Sequence, residues 1–160
     1  MNYWLVKSEG DCYSIDDLMN DTKKHGSTEW SGVRNFQARN YLRDMKKGDL
    51  VLFYQSNGRP AAPNGVYGVA QVVNEWHIDE TALDPADEHF DPKAVEYKKA
   101  GKDPLWVAPD LAFVEKFDKP MTLEEIKRSP EFVGILVAQR VQRLSVMPIS
   151  EKHFRRIRRM

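Results

Sequence analysis

The sequence predicts an α+β fold built on a mostly antiparallel, barrel-like β-sheet with flanking helices, and three observations carry this. Asp49 to Gln55 (Asp-Leu-Val-Leu-Phe-Tyr-Gln) is apolar on both alternating faces, which marks a central strand buried on both sides. Helix-start signals fall between strand-like segments, but the strands are too irregularly spaced for a repeating βαβ array. No internal repeat is visible, and 160 residues suit one domain spanning 1–160, able to bury a core without disulfide or metal.

Taken in order, Asn2 to Lys7 reads as a short buried strand, being aromatic and β-branched. Ser14 caps a helix with Asp17 three residues on, and Ile15, Leu18 and Met19 supply its apolar face. Thr22 to Val33 is polar and contains glycine, so it reads as a loop carrying an isolated Trp30. Asn35 caps a second helix with the stripe Ala38, Tyr41, Leu42 and Met45, closed by Gly48. After the central strand, Ser56 to Asn64 is a loop. Gly65 to Ile78 is a long strand whose Gly65 and Gly68 predict a bulge or a close backbone approach.

Thr81 to Pro104 is acidic and poorly periodic, long enough to suggest a functional excursion or short helices. Leu105 to Phe117 is strand-like with an interruption at Pro109. Thr122-Leu-Glu-Glu125 is a capping box, with Met121 and Ile126 as its hydrophobic staple. Pro130 starts a short helical segment and Arg143 to Pro148 a last strand. Ser150 caps a terminal helix, with Ile149 and Phe154 as staple.

Composition narrows the function. Lys and Arg (24) balance Asp and Glu (24), which excludes a histone-like protein and an acidic disordered tail. The charge is nonetheless segregated. Arg34 to Lys47 holds five basic residues against Asp44 alone, while Glu75 to Glu96 holds eight acids against Lys93 alone. Such a pattern serves either as a solvated surface or as a positive face for a phosphate backbone. The single cysteine, Cys12, excludes a disulfide framework, and His25, His77, His89 and His153 lack any metal-ligand spacing, so no metal is expected. No G-x-S-x-G, Walker A or G-x-G-x-x-G motif occurs; neither a catalytic constellation nor a cofactor is expected. The first residues lack the basic-then-apolar pattern of a signal peptide, and no run approaches the roughly 18 apolar residues of a membrane span. A soluble, cytoplasmic protein is the expectation.

The aromatic residues remain. Trp30 precedes Arg34-Asn35 in a loop, Tyr54-Gln-Ser56 ends the central strand, and Trp106 follows the acidic excursion. Aromatics so placed either pack in the core or stack on a planar ring whose edge neighbouring amides and hydroxyls read.

Four blocks together resemble the EVE domain family: Tyr3-Trp-Leu-Val-Lys-Ser-Glu9, Trp30-Ser-Gly-Val-Arg-Asn35 continuing through Gln37-Ala-Arg-Asn40, Gly48 to Ser56, and Arg143-Leu-Ser-Val-Met-Pro148. The resemblance covers essentially the whole chain. Gly10 departs from it, standing where the family commonly has proline, and Ala138 to Gln142 is slightly longer than usual. The resemblance implies a PUA-like β-barrel with flanking helices, related to YTH and ASCH domains. It also implies binding of DNA or RNA with a flipped modified base, such as a methylated cytosine, or of a modified nucleotide. Carried over residue by residue, it implies a base pocket of Ser8, Trp30, Val33, Asn35, Tyr54, Gln55, Ser56 and Trp106. Trp30 would be the stacking wall with Tyr54 and Trp106 opposite, Asn35 and Ser56 would read base edges, and Lys7, Arg34 and Arg39 would meet phosphates. Two other readings stand beside it: an enzyme on a nucleotide-like molecule using Glu9 or Cys12, and a protein-interaction module.

Overall fold

A computed structural model describes residues 1–139 and 143–159. The chain runs β1 (Tyr3–Glu9), α1 (Ile15–His25), β2 (Thr28–Glu29), α2 (Phe36–Asp44), β3 (Leu50–Ser56), β4 (Gly65–Ile78), α3 (Pro92–Lys99), β5 (Val107–Thr122), α4 (Leu123–Arg128), β6 (Val146–Ile149) and α5 (Glu151–Arg159). The six strands form one sheet in the order β2-β5-β4-β3-β1-β6. Among the described residues only β1 and β3 pair in parallel, and the other ladders between strands are antiparallel.

The expected barrel is corrected to an open mixed sheet. Closure would need its edge strands to pair, and β2 and β6, at opposite ends of the order, are two and four residues long. Strand alternation builds a core on each face. Trp4, Val6, Val51 and Phe53 pack under α1 and α2 on one side, with Trp30 and Val33. Leu5, Leu52, Tyr54 and Met147 pack with Phe154 and Ile157 on the other. Asp49, almost fully buried, accepts from Trp4 Nε1 at 3.0 Å, Lys46 N at 3.0 Å and Asn2 N at 3.1 Å, so its carboxylate stays satisfied.

Local signals explain most boundaries. Ser14 and Asp17 form the full capping box of α1, and Thr122 and Glu125 that of α4. The loop expected from Thr22 is shorter, because α1 continues to His25 and ends at Gly26 in the left-handed region. Met45, not Gly48, ends α2. Gly65 and Gly68 lie where β4 crosses β5 so closely that a Cβ would strike the Met121 and Glu115 carbonyl oxygens. β5 passes Pro109 without a break, because the register shifts between Asn74 and His77 opposite it and leaves the missing N–H unneeded. The last strand starts at Val146 rather than Arg143. In the segment Ala138 to Gln142, positions 140–142 lie outside the described residues.

Candidate functional site

A cleft of about 600 Å³ opens beside the C-terminal end of β1. Its walls come from β1 and the turn after it (Lys7, Ser8, Glu9, Cys12, Tyr13), from the β2–α2 segment (Thr28 to Arg34) and from Glu88 and His89 at the tip of the acidic excursion. Such a volume falls in the range of small-molecule pockets.

The β2–α2 segment is held by backbone and by one carboxylate. Trp30 N–H donates to Pro109 O at 2.9 Å, which sets the indole against Phe53 and Tyr13 in edge-on packing, centroids 5.7 and 6.1 Å away. Gly32 takes a positive φ of 86°, and its N–H donates to Asp79 Oδ2 at 2.9 Å. A Cβ here would come within 3.1 Å of the His89 ring, so glycine lets the excursion tip close over the cleft. Arg34 donates to the same Asp79 oxygen at 2.9 Å, and to Val33 O, Thr81 Oγ1 and His89 O. Burial raises the Asp79 carboxyl, but hydrogen bonds from Thr81, Gly32 and Arg34 outweigh it and hold the group below its ordinary value.

The cleft's chemistry is that of an acceptor. Glu9, Glu29 and Glu88 line it, and Glu29 is raised from its ordinary value, chiefly by burial and then by neighbouring carboxylates, with His77 opposing. Burial and the Asp21 carboxylate, 2.6 Å from the phenol oxygen, raise the Tyr13 hydroxyl, so it stays neutral. The Cys12 thiol donates to Glu9 Oε2 at 3.4 Å and is raised by that bond, the reverse of what activates a nucleophile. Carboxylates beside an aromatic wall suit a flat ring bearing amino hydrogens.

Of the eleven residues expected at the site, Lys7, Ser8, Trp30, Val33 and Arg34 line this cleft. The rest do not line it, although Tyr54, Gln55, Ser56 and Trp106 neighbour residues that do. Tyr54 faces the opposite core, because its neighbour Phe53 takes the Trp30 side; Lys7 Nζ sits 5.5 Å from the Tyr54 ring centroid. Burial pushes the Tyr54 phenol up to about 12. Gln55 and Ser56 line a separate cavity of about 270 Å³, and Gln55 Oε1 accepts the Ile15 N–H at 2.9 Å, serving the start of α1. Trp106 joins a third cluster behind Arg34 and donates Nε1–H to Asp91 at 2.7 Å. Asn35 spends its Oδ1 capping α2 on Ala38 N at 2.9 Å. Arg34 already uses all five of its N–H groups within the protein, leaving none for a phosphate. Arg39 lies on α2 and donates to Leu105 O and Asn40 Oδ1.

Tyr13, Glu29, Gly32, Glu88 and His89 were not foreseen. Gly32, in a polar loop two residues after Trp30, was a readable turn signal; the excursion tip carried none. Among the described residues, no cluster of His, Cys, Asp or Glu could hold a metal ion, and no helix is long and apolar enough to cross a membrane.

The chain is thus a small α+β protein with an open mixed sheet and an aromatic-walled cleft, lined by carboxylates, at the end of its first strand. The chain belongs to the EVE domain family, which it matches over residues 2–160. Mouse thymocyte nuclear protein 1 is 35% identical, over 96% of this chain and 70% of that protein. A hypothetical protein from Leishmania major has a similar structure at TM-score 0.85 and 43% identity, covering 100% of this chain and 94% of that one. The human THYN1 protein in complex with 5-methylcytosine-containing DNA matches at TM-score 0.86 and 31% identity, covering 99% and 96%.

Proposed function

We propose that the chain is a non-catalytic nucleic-acid-binding module that takes a modified base, such as a methylated cytosine, flipped from its stack into the cleft at Trp30. The observation that carries this reading is the cleft itself, with the Trp30 and Tyr13 rings beside the carboxylates of Glu9 and Glu29. A cytosine presents its N4 amino hydrogens to such acceptors. The fold shared with a human protein in complex with 5-methylcytosine-containing DNA supports the same ligand class. The cytoplasmic location expected from the sequence belongs to this proposal; "nuclear" is part of the relatives' own name.

Magnitudes set what selection requires. Burying one methyl is worth about 0.8 kcal/mol, roughly four-fold in affinity. Stronger preference must come from polar groups that the wrong base leaves unpaired. Extruding a base from a duplex costs a few kcal/mol, so single strands bind more tightly than duplexes.

Tryptophan fluorescence would be titrated with short single-stranded DNA and RNA, with and without 5-methylcytosine. The expected result is a tighter isotherm for the modified strand, weakened at least ten-fold in Glu29→Gln. Identical isotherms for modified and unmodified strands, unmoved by Glu29→Gln, would overturn the reading.

A further inference from the structure

Beside Lys7, whose Nζ lies over the Tyr54 ring, the cleft offers acceptors and one saturated arginine, so a strand entering it must place most of its phosphates elsewhere. Most arginines of the chain are neutralised: Arg34, Arg59, Arg128, Arg155, Arg156 and Arg158 each pair with a carboxylate. Arg39 and Arg43, one turn apart on α2, make no ion pair among the described residues. Their hydrogen bonds go to Leu105 O, Pro104 O and the Asn40 amide. Arg43 Nε is, among the described residues, the buried side-chain polar atom without a partner.

Each of these cations lies against an exposed ring. Arg39 sits 5.0 Å from the Phe36 centroid and Arg43 5.5 Å from that of Trp76. Phe36 is 58% exposed and Trp76 38% exposed, unlike the buried aromatics of the cores. Phe36 in turn stacks on Trp106 at 5.2 Å, and Trp106 covers the Arg34 guanidinium that walls the cleft. The nearest carboxylate to Trp76 in sequence, Glu75, is taken by Lys46 at 3.7 Å.

We propose that this face of α2, Phe36 with Arg39 and Arg43 and with Trp76 beside them, binds the single-stranded nucleic-acid segment flanking the base held in the cleft. Phe36, Arg39 and Arg43 stand at i, i+3 and i+7 and so share one helix face. Unpaired guanidiniums attract phosphates, and exposed rings stack on flanking bases whatever their sequence. The inference rests on the base-cleft reading for the strand's direction, not for its attraction to the face.

The test compares 5-methyl-2′-deoxycytidine with single-stranded DNA of about twelve nucleotides carrying one central 5-methylcytosine, titrated at several salt concentrations. The strand is expected to bind at least ten-fold more tightly than the nucleoside. Phe36→Ala and Arg43→Gln should leave nucleoside binding unchanged and weaken the strand about ten-fold each. Arg43→Gln should also lower the log–log salt slope by about 0.7, the share of one single-strand phosphate contact, and Arg43→Lys should restore it. Strand affinity and slope unchanged in both variants, or a strand no tighter than the nucleoside, would overturn the inference while leaving the cleft reading intact. Strand binding lost in the variants but indifferent to methylation, with no nucleoside binding, would support the face and sink the cleft. A wild type that binds neither ligand overturns both.

Discussion

Arg34 and Asp79, 45 residues apart, meet at 2.9 Å with the aspartate side chain fully buried and the arginine side chain 22% exposed. One carboxylate thereby fixes the C-terminal half of the segment that carries Trp30 at two points, since Gly32 N–H reaches the same oxygen. It also joins that segment to the acidic excursion, through Thr81 and, by way of Arg34, the His89 carbonyl.

Removing that carboxylate leaves the Arg34 charge half enclosed and unpaired. Asp79→Ala should cost about 3–5 kcal/mol in urea unfolding, the range for breaking a buried pair from one side. Because the folded-state pKa of Asp79 is depressed, its contribution is full above the ordinary carboxylate range and is lost as pH falls through the folded value. Melting curves from neutral pH down to about pH 2 should therefore show wild type losing its advantage over Asp79→Asn only at acid pH, below about 4. A gap that stays constant with pH would contradict this.

Trp30 is a packing residue before it is anything else, 8% exposed and held between Phe53 and Tyr13. Trp30→Ala should cost about 3–5 kcal/mol, so lost binding in that variant would say little about stacking. Trp30→Phe should stay folded at ambient temperature and is the variant to titrate. An alanine variant that unfolds at the wild-type urea midpoint would show the indole to be dispensable to the core.

At Gly32 any side chain meets two obstacles, the left-handed backbone and the His89 ring. Gly32→Ala should lose about 1–2 kcal/mol from the backbone alone. For a chain of this length that is a fall in Tm of about 2–8 °C. The His89 ring resonances should shift with it in NMR spectra, and their staying put would place the excursion tip away from the cleft.

Asn35 separates two roles by chemistry. Its Oδ1 caps α2, and Asn35→Ala should cost about 1 kcal/mol. Asn35→Ser keeps an N-cap acceptor without the amide. Stability and strand binding both recovered in the serine variant would mean that Asn35 only caps; stability recovered without binding would mean that the amide reads a base.

The sequence carried the elements well because their signals are local. The capping boxes at Ser14 and Thr122, the doubly apolar run at residues 49–55 and the glycines of β4 each mark their own position. The site was less legible because its residues meet through the sheet. Tyr54 and Trp30 are both aromatic and both near loops, yet a single step along β3, from Phe53 to Tyr54, decides which face a side chain joins. Arg34 looked free because its partners lie far along the chain, Asp79 just after β4 and Thr81 and His89 in an excursion without periodicity. Barrel closure failed as an expectation for a related reason, since edge-strand length depends on where pairing partners end.

The strand order has a consequence for synthesis. β1 precedes the other five strands but sits between β3 and β6, and among the described residues β6 pairs with β1 alone. The core facing α5 gains Met147, Ile149, Phe154 and Ile157 only from the last two elements. While a ribosome still holds those residues in its exit tunnel, the emerging chain has one apolar sheet face uncovered and one edge of β1 unpaired. The native sheet and its second core are thus completed only once β6 and α5 have emerged, and until then the free edge of β1 is open to pairing with a foreign strand.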